Sequence, residues 1–552
     1  MKFFPLSTSA KLFAFTEGTK HDEKGIFVLN DSDKSLVQLS GLDSEDYTYK
    51  NHKKYEMSPR GNGFELYNVF DNVVVDGERV DILVFTNKTV FVCDIYKQHK
   101  LKRQLAKDFL VAPMIYFDVV EKKNILISQE KINQIGFFVV SLNGFLENSD
   151  MQIRGSNLYK FHSSGFVDII GNLKPLLALE TVENQGQKML EFYKVELQSV
   201  TFIKKITLGH ITSPISFVSN PENPFVIDII YIKSENNDHK FVHLKNKFAS
   251  VETDSFFRKV DAQQYFSKNK ASITPNANLF EEKSYQLKFI PLAENNERLK
   301  RFHVADVSAS GQFELFFINS NKKAVIKKFT KSGLEKAADF YKNFLSSDVN
   351  NEIDSITTAD LMNGGQQEVI VSYIDKTSLN SAVSFFTVYR DPSDNKVEFI
   401  TNFKLDNSQL YLPGATYFIG FNNGENYVKI TQSSQTSMAS LQQKGVFLGL
   451  GTTHFFLTYV FVSAIFTKPQ SFVKNCRASL FPTTTTIFEY TPNETLNSKC
   501  FFKSPHLNLV IFVISAAACI GFGILLYLII LEKKRFKMRT ENDRIQKLLK
   551  II

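Results

Sequence analysis

Along most of the chain, apolar residues come in short runs separated by clusters of Asp, Asn, Gly, Lys and Ser. Short runs rich in Val, Ile and Phe and bounded by turn residues predict β-strands. Seven segments repeat a fuller pattern, an apolar run, a polar turn and a second apolar run: residues 15–30, 72–87, 114–128, 165–180, 215–233, 302–319 and 356–375. Most start 42 to 57 residues after the one before, while the fifth and sixth stand farther apart, with an insertion near 245–300. Further strand-like runs, such as 89–95 and 188–195, lie between them. A period of this size with three or four short strands per unit predicts β-propeller blades. No sustained helical period appears outside the tail; residues 335–345 are the main local exception.

Two longer apolar runs stand near the C-terminus. Residues 507–531 contain no charge and only Asn508 as an amide, which suits a membrane-crossing helix of about 20 residues or more. Residues 446–466 are long enough to cross as well. Their Thr452, Thr453, His454, Thr458 and Tyr459, with β-branched and aromatic neighbours, predict one or two buried strands instead. The predicted layout is therefore all-β before the span. A seven-bladed propeller occupies 1–400, a membrane-proximal β-rich domain 401–504, a transmembrane helix 507–531 and a basic tail 532–552.

The net charge of +8 first suggests a nucleic-acid or membrane-surface partner. Its location changes that reading. The tail holds eight Lys and Arg against three acidic residues, a net +5, which leaves +3 for everything before it. Six basic residues fall in 532–546 against Lys499 and Lys503 in 492–506. Positive residues stay cytoplasmic, so the tail is expected inside, the larger part outside or lumenal, and no nucleic-acid partner is expected. That orientation calls for a translocated N-terminus. Residues 1–20 make a poor signal, because Pro5 and Ser7 interrupt the apolar stretch behind Lys2, so either the start lies upstream or a short, weak signal suffices. A cytoplasmic, tail-anchored chain is the competing arrangement. An outside domain would also fit a Cys476–Cys500 disulfide and glycosylation acceptors at Asn30, Asn87 and Asn493. Two unrelated thiols is the alternative for the cysteines.

The sixth and seventh repeats share a motif. Asp306, Ser308, Ser310, Gly311 and Glu314 recur 54 residues on as Asp360, Met362, Gly364, Gly365 and Glu368. The pattern resembles the FG-GAP repeat of integrin α-type propellers, whose acidic turn wraps Ca²⁺ with alternating oxygens. Here serines, Met362 and Gly364 replace carboxylates, and the second repeat (residues 76–81) carries Arg79 in its turn. Ca²⁺ takes about 6 to 8 oxygens. These loops are therefore expected to be structural turns and no cofactor is assigned; Asp306, Ser308, Ser310 and Glu314 are the positions at which residual Ca²⁺ binding is conceivable.

Residues 434–453, ending in Leu448-Gly449-Leu450-Gly451-Thr452-Thr453, together with 410–417 and the Glu532-Lys533-Lys534 that follows the span, resemble the T-cell immunomodulatory protein family, also called the LINKIN family. The resemblance implies a single-pass type I membrane protein with a degenerate seven-bladed FG-GAP propeller, a β-rich membrane-proximal domain carrying the Gly-Leu-Gly segment and a short basic tail. It implies adhesion or cell-surface or endomembrane interaction, not catalysis.

The residues themselves offer little chemistry. No G-x-S-x-G, P-loop, H-E-x-x-H or C-x-x-C is present. His239 and His243 are expected as exposed loop residues. The leading function is an adhesion or scaffold protein that binds a protein or glycan through the propeller. The alternatives are an accessory subunit of a larger membrane complex and a propeller hydrolase. Ala516, Ala517, Gly521 and Gly523 in the span either admit a partner helix closely or face lipid. In the tail, Ile545, Leu548, Leu549 and Ile552 fall on one helix face beside Arg544, Lys547 and Lys550, fitting lipid headgroups, a cytoplasmic partner or plain stop-transfer charge.

Overall fold

In the computed structural model each of the seven repeated segments is an antiparallel hairpin that starts one four-stranded sheet. The residues that the structure describes lie between 3 and 550 and comprise the strands, one long helix and many of the joining turns. The longest stretches outside the described residues are 248–279, 288–301, 337–350 and 433–444. Six sheets follow chain order, each an up-and-down meander. They run from Ala10–Glu17 to Thr48–Glu56, Leu66–Val75 to Lys100–Ala106, Met114–Asp118 to Gly144–Arg154, Gly165–Val167 to Ser199–Gly209, Ser216–Ser219 to Phe280–Gln286, and Phe302–Ala305 to Gly333–Lys336. The seventh differs. Asn351–Ala359, Glu368–Asp375 and Ser381–Thr387 are completed by Phe3–Leu6 from the other end of the chain, with Phe3 opposite Ser384. The insertion near 245–300 contains the fifth sheet's last strand, Phe280–Gln286. Residues 337–345 of the expected helical exception lie outside the described residues, and 333–336 are strand.

The first strands are apolar on both faces because both faces are covered. In Met114–Asp118, Ile115 points into a cluster with Phe70, Leu83, Phe85, Val90 and Phe109 toward the second sheet. Met114 and Tyr116 point the other way, into a cluster with Phe166, Leu177 and Leu179 of the fourth. The alternation repeats in Leu176–Val182: Leu177 and Leu179 face the third sheet, while Leu176 and Ala178 face the fifth through Ile227, Ile229 and Val242. This two-sided burial accounts for much of the phenylalanine. Phe70 and Phe85 meet edge to face at 5.3 Å, Phe109 and Phe138 at 5.6 Å, and each buried ring adds roughly 1.5–3 kcal/mol.

Two further sheets share one core. In the first, Asn395–Leu405 pairs with Ser408–Tyr411, Val446–Gly451 and, in parallel, Thr484–Tyr490, which pairs in turn with Leu496–Phe502. The second holds Asn426–Thr431, Thr416–Phe421, Tyr459–Ser463 and Lys474–Asn475. The apolar run 446–466 thus supplies two strands. Phe399 stacks on Tyr417 at 5.3 Å and on Phe488 at 5.9 Å. The polar ends inside this sandwich are paired: Gln432 takes the Tyr417 hydroxyl (2.7 Å) and the Thr401 amide (2.9 Å), and donates to the Leu412 carbonyl (2.8 Å). Burial holds the Tyr417 phenol well above its usual range. The boundary expected at 400/401 falls inside the strand Asn395–Leu405, all of whose partners belong to the sandwich.

Met1–Phe502 forms one compact unit and Lys503–Ile552 a second. The second contains the helix α1 (Leu507–Leu549), 43 residues long. Among the described residues it is the one helix long and apolar enough to cross a membrane. Its large apolar side chains from Phe512 to Ile530 are exposed. The helix continues past the apolar stretch through the basic tail.

Candidate functional site: the acidic turns and the sandwich they hold

A strand that must reverse tightly leaves several backbone N–H groups pointing into the turn, and a carboxylate at the strand end satisfies them at short range. The described turns after the first strands of the third, fourth and sixth sheets use this device. Asp118 accepts from the amides of Val120 and Glu121 at 2.9 and 3.1 Å. Asp168 accepts from Gly171 (2.9 Å), Asn172 (3.3 Å) and Leu173 (2.6 Å). Asp306 accepts from Ser310 (3.0 Å) and Gly311 (2.9 Å). The last two turns share a backbone path. Positive φ occurs three and five residues after the Asp, at Gly171 (84°) and Leu173 (59°), and at Ala309 (57°) and Gly311 (76°). An L-residue pays about 1–2 kcal/mol for that conformation, which the carboxylate's bonds to the same turn offset.

These turns are also where the sandwich attaches. Asp306 accepts a third amide, that of Gly449 (2.9 Å), and the Gly451 amide donates to the Ala309 carbonyl (3.1 Å). A Cβ at Gly449 would collide with Asp306 Oδ2 and with the Ala309 carbonyl group. The Gly-Leu-Gly segment is therefore bare where it lies against the sixth sheet's turn. At the fourth sheet, Lys429 of the sandwich forms an ion pair with Asp168, the side chains 1% and 0% exposed. Ser463 donates to the Leu173 carbonyl, and Gly414 lies where a Cβ would meet Phe166. At the fifth sheet, Ser219 Oγ donates to the Lys429 carbonyl and accepts its amide at 3.2 Å. At the third, Phe117 packs on Phe403 at 5.3 Å. Among the described residues, the sandwich thus rests on the first-strand ends of the third to sixth sheets, and its strand Ser408–Tyr411 also lies near Leu66–Val75 of the second.

The four residues singled out as a residual cation set come together, but as a closed hydrogen-bond circuit. Glu314 accepts the Val307 amide (2.9 Å) and the Ser308 hydroxyl; Ser308 also approaches Ser310 at 3.0 Å. Both oxygens of Asp306 face N–H donors. The site presents hydrogens where a cation needs lone pairs, so these residues do not fit Ca²⁺. Among the described residues no group of three His, Cys, Asp or Glu side chains is placed to hold a metal ion.

Burial in this turn pushes the Glu314 carboxyl up to about 8, and the neighbouring Asp306 charge adds to the effect. Burial raises Asp306 too, but its three amide donors favour the ionised form, so Glu314 is the member that holds the proton. Between its ordinary range near 4.5 and about 8, the folded chain keeps a proton that the unfolded chain has released. Stability therefore falls as pH rises through that window and levels off above it, by up to about 1.4 kcal/mol per pH unit. Relative to Glu314→Gln, the native chain should lose stability between pH 5 and pH 8. The buried His162 and His303, held down to about 4, give an opposite trend over the lower part of that range in both chains, so the difference between the two curves is the readout. Excess Ca²⁺ should leave both curves in place. A Glu314→Gln variant with the native slope would refute the assignment.

His239 and His243 are not exposed loop residues. Both lie buried in Asp238–Asn246. His243 bonds Asp228 at 2.6 Å and meets Phe329 edge to face at 5.0 Å. Asp228 also accepts from Asn220 (2.9 Å) and the Asn246 amide (2.8 Å). The strand's alternation hid them, since a histidine can replace an apolar residue at an inward position, as His243 does with Asp228 as its partner. Lys429 carries no sequence signal either: nothing in Asn-Tyr-Val-Lys-Ile-Thr marks it as buried. Asn30 ends the strand Lys24–Asn30, and Asn87 is half-buried directly after Glu78–Thr86. Asn493, Cys476 and residues 361–366 of the seventh turn lie outside the described residues. Cys500 is exposed on Leu496–Phe502 opposite Thr486. Ala516 and Ala517 lie along α1, and a Cβ at Gly521 or Gly523 would meet open space.

No family model matches the chain, and no curated protein does. Solved structures with partial likeness include the WD40 domain of SCAP from fission yeast (TM-score 0.29, 10% identity, covering 70% of this chain and 87% of that one). BBS1N, solved in complex with ARL6DN, gives TM-score 0.36, 9% identity and coverage of 70% and 97%. A putative 6-phosphogluconolactonase from Bacteroides uniformis gives 0.33, 12%, 59% and 82%. At these scores the architecture has to be argued from this chain's own strand pairing.

Proposed function

We propose that this chain is a single-pass membrane protein that displays a closed, seven-bladed β-propeller, of degenerate FG-GAP type, to a protein or glycan partner, in adhesion or as an interaction scaffold. The observation that carries the reading is the pairing of Phe3–Leu6 with Ser381–Thr387, which joins the first residues of the chain to the last of seven four-stranded sheets. Such a strand exchange is what a ring of sheets needs to remove its open edges. The resemblance to the T-cell immunomodulatory protein family supports the same reading. Function on such a scaffold resides in its loops. Because the sandwich occupies the first-strand ends, the partner's surface is assigned to the opposite rim, where the turn bearing the exposed Ile132 lies. An interaction role rather than a catalytic one suits acidic turns whose carboxylates are engaged by backbone donors, and the reading assigns no cofactor. The basic flank after residue 531 supports an outside or lumenal position for Met1–Phe502 and a cytoplasmic tail.

Two measurements test this. Protease added to sealed, right-side-out vesicles should remove the sheets and spare the tail; the reverse pattern overturns the topology. Cross-linking in intact membranes followed by gentle solubilisation should capture a specific partner with the native chain and lose it with Ile132→Glu. Equal capture by both would remove the rim assignment, and the chain alone under all conditions would sink the interaction reading.

A further inference from the structure

The helix α1 does not end where its apolar stretch does; it runs on through residues 532–549. At 100° per residue, Met538, Ile545, Leu548 and Leu549 fall within an arc of about 100°, with Glu541 as the one acidic group on that side. All four apolar side chains are exposed, Leu548 at 62% and Leu549 at 68%. Arg539, Arg544, Lys547 and Lys550 point to the other sides. This is the two-faced composition of helices that lie in the headgroup layer, apolar side down and cations reaching the phosphates. Three observations favour a lipid occupant over a protein one. The segment follows directly on the apolar stretch of the same helix, so a bilayer that holds the span is always within reach. Its net charge of +5 over 532–552 complements an anionic leaflet and repels a second copy. The helix is also weakened at the point where it would turn: the Thr540 hydroxyl donates to the Phe536 carbonyl at 2.8 Å, a bond that competes with the helix ladder, slightly destabilises it and often bends it.

We propose that residues 538–550 form an amphipathic helix that folds down at Phe536–Thr540 and docks on anionic lipid beside the span. The proposal rests on the reading that residues 507–531 cross the bilayer.

The absence of tryptophan from all 552 residues makes the test clean, since one introduced indole is the sole emitter of its kind. Leu548→Trp and, on the opposite face, Asp543→Trp are placed in the full chain and reconstituted in nanodiscs with a tryptophan-free belt, of phosphatidylcholine alone or with phosphatidylserine. Chain that does not co-elute with discs at all refutes the span reading, separately from the docking. In discs that hold the chain, docking predicts that the Leu548→Trp emission shifts to the blue and is quenched by headgroup-proximal brominated lipid. The effect should require phosphatidylserine and fade with salt, while Asp543→Trp stays water-like. Changing Arg544 and Lys547 to Gln should lower the docked-to-free ratio roughly thirtyfold, at about a tenfold step per 1.4 kcal/mol and about 1 kcal/mol per cation. Water-like emission from Leu548→Trp in both discs overturns the proposal. So does a blue shift independent of phosphatidylserine, which would mark apolar burial against another copy or a protein.

Discussion

Replacing Gly449 by alanine should destabilise the folded chain by about 3 kcal/mol, from overpacking combined with loss of a charge-assisted hydrogen bond. The added methyl falls on the Ala309 carbonyl and on Asp306 Oδ2. Backbone cannot swing aside as the end of a side chain can, so the strand Val446–Gly451 has to lift off the sixth sheet's turn. That movement breaks Gly449 N–H to Asp306 and strains Gly451 N–H to Ala309 together. It leaves a buried carboxylate short of one of its three donors. The control is Gly186→Ala. That glycine has φ +76° and open space around its Cβ position, so only the conformational cost of about 1–2 kcal/mol applies. Denaturant titration of both variants, purified in mild detergent, checks the difference. Equal losses would mean that the Gly-Leu-Gly segment is not held against the turn.

The buried pair between Asp168 and Lys429 carries the second large effect. Asp168→Ala should cost about 3–5 kcal/mol, as removal of one member of a buried ion pair does. It strands the ammonium, whose burial already lowers its pKa, and it also strips the acceptor from three turn amides. Lys429→Met should cost clearly less. The methionine keeps most of the volume, and the carboxylate retains its three backbone donors. The double variant should lose less than the sum of the two, by about 0.5–3 kcal/mol, because the stranded charge is gone. An additive pair would show that the two groups act independently and that the sandwich is held elsewhere.

Both predictions concern residues whose local sequence says little about their contacts. Gly449 is marked as part of the Gly-Leu-Gly segment but not for what it lies against, and nothing local marks Lys429 or Asp168 as a buried pair. What was legible was periodic. The seven apolar–turn–apolar segments each became the starting hairpin of a sheet, because strands covered on both faces must be apolar at every position, whatever their neighbours are. The Asp-led turns were legible as turns for a similar reason: backbone amides left by a tight reversal need an acceptor within a few residues. The 507–531 stretch was legible from length and lack of charge alone.

Tertiary structure decided the rest. Sequence spacing predicted a structural turn at Asp306, Ser308, Ser310 and Glu314, with residual cation binding as the lesser alternative, but it did not say what those oxygens would meet. The fold turned amides and hydroxyls toward those carboxylates and added a further amide 143 residues away, at Gly449. The buried position of His243 followed from the Asp228 carboxylate that bonds it across the sheet, not from its own strand pattern. The joining of the chain's first strand to its last sheet is likewise invisible locally, since Phe3–Leu6 carries no mark of a partner almost 380 residues away. Local chemistry determines strands, turns and a span because their forces act within a few residues. Which turn a glycine lies against, which carboxylate a lysine meets and which edge a strand closes are set by contacts distant in sequence.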